Sequence, residues 1–193
     1  DITAGSDMDL LLVSAGIAGA GKGIAAGGTA AYINDEAASL VTIGNRHAIS
    51  AGDDVNISAK TTDRLLSVLA SASAALSKNL AAAGAVNVLN SSAKGNVTLG
   101  AGDANSAVTS KNGSVAITGN TDTRAINITV SAAGSRGTAI GMSVKVNRFA
   151  RESIVEIAGG EGYTIQAAKD VLTSATGNDT TIMAGLAVAG STK

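Results

Sequence analysis

The sequence repeats itself about every 57 residues, and that period limits the fold more than any single residue does. A basic residue follows a run of small residues at Lys22, Lys78, Arg136 and Lys193, spaced 56, 58 and 57 apart. Asn34, Asn90 and Asn147 keep step at 56 and 57, and Ile43, Leu99 and Ile157 at 56 and 58. Asp63-Arg64 before Leu65-Leu66 recurs as Asp122-Thr123-Arg124 before Ala125-Ile126, and again as Asp179-Thr180-Thr181 before Ile182-Met183. Fixed self-similarity of this kind is the signature of a stacked, quasi-one-dimensional architecture.

Composition agrees with small stacked layers. The 193 residues include 24 Gly but no Pro or Cys, aromatics make up 2%, and much of the 45% hydrophobic share is Ala. A round core would be poorly filled by such residues, whereas closely spaced strands accept Ala, Ser, Val and Ile. The net charge of −1 gives no basic face for nucleic acid. Without Cys there are no disulfides, thiolate metal sites or cysteine nucleophiles. The segments 10–33 and 65–89 are apolar enough to suggest membrane helices. Each, however, has a Lys at its middle (Lys22, Lys78) and many Gly, Ala and Ser, so no stable transmembrane segment is expected. The opening Asp1-Ile2-Thr3-Ala4-Gly5 is no signal peptide and falls mid-repeat, as in an internal fragment.

Local patterns point to strands. Val41-Thr42-Ile43, Val55-Asn56-Ile57, Val97-Thr98-Leu99, Val115-Ala116-Ile117 and Val155-Glu156-Ile157 have strand periodicity with β-branched residues on one face. Ala51-Gly52-Asp53-Asp54, Gly100-Ala101-Gly102-Asp103, Lys111-Asn112-Gly113-Ser114 and Gly159-Gly160-Glu161-Gly162 are corners, each preceded by a further inward residue (Ile49, Val108, Ile165). The phrase Ile2–Asp7 reads as another copy of the Ile49–Asp54 corner, with a shortened loop in the first unit. Leu65–Leu89 is ambiguous alone. Its counterpart alternates strictly through Ile126–Val130 and Met142–Asn147, which favours strands there too. The expected fold is all-β: a single parallel β-solenoid over 1–193, with units at roughly 10–64, 65–124 and 125–181 and a partial unit at 182–193. Each unit would supply three coils of roughly 18–20 residues, with inward Val, Ile, Leu and Ala forming one continuous dry core.

Candidate sites are few. Gly16–Gly23 nearly spells a phosphate-binding loop, but Gly23 stands where Ser or Thr must follow the Lys, and the next unit has no Gly in the equivalent Ala72–Asn79. Gly21–Ala26 lacks the strand–helix context of a dinucleotide fingerprint. His47, the single histidine, sits beside Asn45-Arg46 like a solvated loop residue. The acidic corners (Asp7, Asp53-Asp54, Asp103, Asp170) suit turn chemistry. Calcium would need tandem Gly-Gly-x-Gly-x-Asp, which Gly159-Gly160-Glu161-Gly162-Tyr163 only begins. Asp63, Asp122 and Asp179 are expected at one angular position, with Arg64 and Arg124 beside them, as a polar surface stripe or a ladder of surface salt bridges. Carboxylates whole units apart cannot share one glycosidic bond, which needs them within about 10 Å. Tyr32, Phe149 and Tyr163 are also too sparse for a sugar-stacking cleft.

Ile49-Ser50-Ala51-Gly52-Asp53-Asp54-Val55-Asn56-Ile57-Ser58-Ala59, Asp1–Asp7 and the tract Leu80–Val88 give the chain a family likeness. It resembles the repetitive passengers of bacterial type V secreted surface proteins, namely filamentous-haemagglutinin-like adhesins and leukotoxin-like large exoproteins. Ala167-Ala168-Lys169-Asp170 departs from the Ala-Gly-x-Asp corner in the third unit. The resemblance implies a right-handed parallel β-helix, export by a two-partner or autotransporter route, and a secreted or cell-surface location. It also implies a non-enzymatic role as adhesin stalk or toxin scaffold. The expected partners are a host-cell or matrix ligand and, during export, an outer-membrane transporter, with no cofactor, metal or small-molecule substrate. The alternatives are a polysaccharide-cleaving β-helix and a membrane-active leukotoxin segment, the latter suggested by the tract 65–89.

Overall fold

The computed structural model describes residues 1–100 and 106–192. The Asp103 corner and Lys193 lie outside the described residues. Ten strands and no helix occur among those described: β1 (Ile2–Ala20), β2 (Ala25–Ile43), β3 (Ala48–Ala51), β4 (Val55–Ala75), β5 (Leu80–Leu99), β6 (Ala107–Ser110), β7 (Val115–Ser135), β8 (Thr138–Ile157), β9 (Thr164–Gln166) and β10 (Val171–Ser191). They form three parallel sheets, ordered β1-β4-β7-β10, β2-β5-β8 and β3-β6-β9. The architecture is a parallel β-solenoid, as the repeat implies.

Paired residues in neighbouring strands lie between 55 and 60 positions apart. One repeat is therefore one coil, not three. The expectation of three coils per unit fails because the presumed strand breaks are absent. The tracts 55–75 and 80–99 each run as one strand, without the corners that a shorter coil would need. The Ile2–Asp7 phrase is corrected too. It lies in β1, where Ile2 pairs with Ile57 and Ala4 with Ala59, so no shortened loop is needed.

Each coil is a flattened loop. Two long strands run out and back around a tight turn, and a short third strand closes the other end. The turns hold Lys22, Lys78 and Arg136, the basic landmarks of the repeat. Gly23 takes φ 104° there, a conformation open to Gly but strained for most residues. The phosphate-loop resemblance has no structural counterpart, since a strand follows the Lys22 turn where a helix would have to begin.

At the short-strand end the core is conventional. Val41, Val55, Ile57, Val97, Leu99, Val108, Val115 and Ile117 are buried together, with Ile49 and Ile165 packed against them. Val55, Val115 and Val171 share one column, as do Ile43, Leu99 and Ile157. A smaller cluster of Ile33, Leu65, Leu89 and Ala125 lies farther out, and an alanine layer (Ala25, Ala75, Ala81, Ala83, Ala133) fills the turn end. Buried Ser, Thr, Asn and Asp side chains lie between these layers. The continuous aliphatic core is thus corrected to three apolar layers separated by polar bands.

The sheets approach so closely that glycine is required at the contacts. A Cβ on Gly119 would stand 2.5 Å from the Gly95 carbonyl oxygen, and one on Gly95 would collide with the Asn120 backbone. Ser and Thr bridge the same gap: Ser39 Oγ donates to the Lys60 carbonyl at 2.7 Å and Thr61 Oγ1 to the Lys94 carbonyl at 2.5 Å. A carbonyl oxygen has two lone pairs, so these bonds add to the strand ladder without breaking it. Gly95→Val is expected to destabilise the chain by at least about 1–3 kcal/mol, since backbone atoms cannot yield as a side chain can. Gly134→Ala, at a strand position with open space around the new methyl, should be neutral or stabilising by up to about 1 kcal/mol. Urea denaturation of the two variants checks both values.

Candidate functional site

Ionisable side chains concentrate in the inner polar band between the short-strand core and the cluster of Ile33, Leu65, Leu89 and Ala125. Strand parity puts them there. Counting in twos from the inward Val55 and Ile57 makes Asp63 inward, and counting back from Val41 does the same for Asp35. On β8 the parity of Val155 and Ile157 turns Phe149, Arg151 and Ser153 inward.

Asp63 is fully buried and Asp35 is 7% exposed. Ser91 Oγ donates to Asp63 Oδ2 at 2.6 Å and lies 3.5 Å from Asp35 Oδ2. Arg151 approaches from the next coil. Its Nη2 is 3.9 Å from Asp63 Oδ2, its Nε is 3.0 Å from Asp179 Oδ1, and Nη1 donates to the Ser91 carbonyl at 2.9 Å. The guanidinium also lies 4.9 Å from the Phe149 ring centroid, a cation–π distance. One arginine on the third coil thus ties an aspartate of the second to an aspartate of the fourth. Asp63 Oδ1 and Arg151 Nη2 have no hydrogen-bond partner among the described residues, so Ser91 supplies a hydrogen bond to this carboxylate and Arg151 the opposing charge at longer range.

Burial raises the Asp35 pKa from 3.8 to about 6, and the adjacent negative Asp63 and a hydrogen bond to it push the same way; Ser91 and Arg151 oppose the shift. Protonated Asp35 is therefore a donor to Asp63, which eases the crowding of two carboxyl groups.

The register divides the five residues of the expected stripe between two faces. Asp63 pairs with Thr123, and Thr123 with Asp179, in one inward column. Asp122 pairs with Thr62 and Asn178, one residue away, and faces out. Arg64 and Arg124 pair directly on the outer face, where Arg64 Nη1 lies 3.6 Å from Asp9 and 3.9 Å from Asp7. A single angular position is thus corrected. The spacing of 59 from Asp63 to Asp122 misses the local register of 60, and one residue of slip reverses the face. Asn147 is displaced in the same way, pairing with Leu89 and facing in while Asn34 and Asn90 face out.

Two other candidates have defined surroundings. His47 is half-buried: Nδ1 is 2.8 Å from the Gly44 carbonyl oxygen, Nε2 is 3.0 Å from the Tyr163 hydroxyl, and the rings meet edge to face. Burial raises the Tyr163 pKa. At the corners, Asp54 Oδ1 accepts the Ser114 amide of the next coil at 2.7 Å, which links turn to turn. Among the described residues no three His, Cys, Asp or Glu side chains converge as a metal site.

Arg151 was not singled out from the sequence, although counting in twos from Ile157 would have placed it inside. A second inner polar band lies nearer the turn. Asn87 Nδ2 donates to Ser67 Oγ at 2.6 Å and to Asn127 Oδ1 at 2.7 Å, and Asn127 Nδ2 donates to Asn147 Oδ1 at 2.7 Å. The chain of bonds crosses between the two sheets as it climbs from the second coil to the third. No family model, curated protein or solved structure matches this chain.

Arg151→Met should cost about 3–5 kcal/mol by stranding the buried Asp63 carboxylate, and adding Asp63→Asn should recover most of that loss. Chemical denaturation of the single and double variants tests the coupling. The raised Asp35 pKa also fixes a sign: between about pH 4 and pH 6 the folded chain binds more protons than the unfolded one, so this group adds stability as pH falls through that window. In thermal melts, wild type minus Asp35→Asn should become more favourable to wild type from about pH 7 down to pH 4.5.

Proposed function

We propose that the chain is a structural, non-enzymatic segment of a secreted or surface-exposed bacterial protein of the adhesin or exotoxin class. Its role is to present broad lateral faces to host-cell or matrix ligands. The observation that carries this reading is one coil per repeat. A parallel solenoid advances about 4.8 Å per coil, so 57 residues extend the body by only about 5 Å, while a strand of about 20 residues spans about 66 Å across it. Such a chain is an inefficient spacer and an efficient maker of surface. The adhesin stalk suggested by the family likeness becomes, on these dimensions, a wide ribbon.

The burial of the carboxylates favours this reading over the polysaccharide-cleaving alternative. Asp63 and Asp35 point between the sheets and are engaged by Ser91 and Arg151, whereas glycoside cleavage needs both carboxyl groups open to the sugar. The outer carboxylates Asp7 and Asp9 are exposed and lie near Arg64.

Small-angle scattering on a chain with one coil duplicated (residues 55–114) tests the architecture behind the proposal. The longest dimension across the ribbon should stay unchanged while the stacking dimension grows by about 5 Å. A polysaccharide-depolymerisation screen should yield no products. Reproducible cleavage that disappears with Asp35→Asn would overturn the structural reading in favour of an enzyme.

A further inference from the structure

The half of each coil nearest its turn is inverted. On β7 the inward residues are Asn127, Thr129 and Ser131, while Ile126, Ile128 and Val130 face out. On β8 Ser143, Lys145 and Asn147 face in, and Met142, Val144 and Val146 face out, 39–52% exposed. The register aligns Leu11, Leu66, Ile126 and Ile182 in one outer row, and Ile17, Ala72, Ala132 and Val188 in another. Leu11 is 66% exposed and Ile17 87%. Both broad faces of the ribbon are therefore apolar outside from this level to the turn, over an interior of Ser, Thr and Asn side chains, Leu69 and the small alanines.

Charge marks both borders of this zone. Between Asp9 and Asp35 the single charged residue is Lys22; between Arg64 and Lys94 it is Lys78; between Arg124 and Lys145 it is Arg136. All three are exposed at the turns, where the flanking Ile24 and Leu76 are 67% and 70% exposed. At the other border Asp9, Arg64 and Arg124 form one row in one sheet. Asn34, Asn90 and Arg148 stand at the same level in the other, beside Tyr32, whose hydroxyl accepts from Asn90 Nδ2 at 2.8 Å. From Leu66 to Leu76 is ten strand steps, about 33 Å, against a bilayer hydrocarbon core of about 30 Å.

We propose that the turn edge of the ribbon is a lipid-binding edge that inserts its two apolar faces into a bilayer with anionic headgroups, guided by the row of Lys22, Lys78 and Arg136. Charge complementarity favours lipid over a second copy of the chain. The edge carries one cation per coil and no acid, so two edges repel, while anionic headgroups attract them. A second copy laid on one face would also leave the other face in water. A bilayer covers both faces together, with the turn cations reaching its far headgroup layer, and it matches a tyrosine at the polar border. The inference goes beyond the ribbon reading and does not depend on the adhesin or exotoxin class.

The test uses the 193-residue chain, which contains no Trp, so Ile17→Trp gives a single reporter on the outer face. The reporter variant should float with phosphatidylcholine–phosphatidylglycerol vesicles and far less with phosphatidylcholine alone, with blue-shifted emission quenched by brominated lipid. Lys22→Glu, Lys78→Glu and Arg136→Glu together should weaken binding to the anionic vesicles by about a hundredfold. The circular dichroism of that variant should be unchanged, because the three side chains are exposed. Absence of flotation, or flotation indifferent to headgroup charge, would overturn the proposal. Flotation with an unshifted, unquenched tryptophan would reduce it to surface adsorption and overturn insertion. A dimer in sedimentation, broken by Val68→Ser and Ile128→Ser in a chain that does not float, would assign the faces to a second copy instead.

Discussion

A β-strand without a bulge keeps the same residues on the same face from end to end, and this constraint governs the whole molecule. At the short-strand end of each coil the inward parity is set by Val55 and Ile57, Val115 and Ile117, and Val155 and Ile157. These strands continue for about 20 residues with no reset. The parity that buries isoleucine at one end therefore buries Asn127 and turns Lys145 inward near the other, while Ile128 and Val144 face out. Neighbouring coils cannot correct this, because parallel pairing locks each strand to the next in register over its whole length.

A polar interior changes what holds the sheets together. A dry aliphatic layer contributes roughly 25 cal/mol for each Å² of apolar surface buried. The Ser39, Thr61 and Asn87 contacts contribute instead through hydrogen bonds worth about 1 kcal/mol each, and an unmade one costs at least as much. Such contacts demand short, well-defined separations, which explains the glycines at the narrowest points. Gly95 and Gly119 let the backbones approach, and the neighbouring Thr61 and Ser39 hydroxyls then reach the facing carbonyls. Arg151 is the long-range member of the same scheme. It spans from the second coil to the fourth, a distance no serine or threonine could cover, and neutralises carboxylates at both ends.

The sequence was most legible where chemistry and periodicity coincide. The corner residues Ile49, Val108 and Ile165 align and pack inward, and the basic landmarks fall at the turns, because corners interrupt the strand and restart the count locally. The coil size was hidden. Gly/Ala/Ser tracts such as 70–75 and 81–85 look like breaks to a propensity argument, yet they are strand interior, where small side chains suit a narrow gap. The aspartate stripe failed for a finer reason. A mean period near 57 identifies which segments pair, but local offsets of 55 to 60 decide which face a residue takes. Counting in twos from the nearest corner would have put Asp63 and Arg151 inside and Asp122 outside.

Repetition also determines how the inverted zone behaves as coils accumulate. Each coil adds the same outer rows and one cation at its turn, so any weak affinity of that edge is multiplied along the ribbon. A basic residue near an anionic membrane is worth about 1 kcal/mol, too little to hold one coil. Rigid coils about 4.8 Å apart bring Lys22, Lys78 and Arg136 to the surface together, so the ordering of one assists the next. The ladder that fixes strand parity thus also aligns the cations in a row. An edge that is apolar on both faces and cationic at its tip follows from the same register that buries Asp63 beneath Arg151.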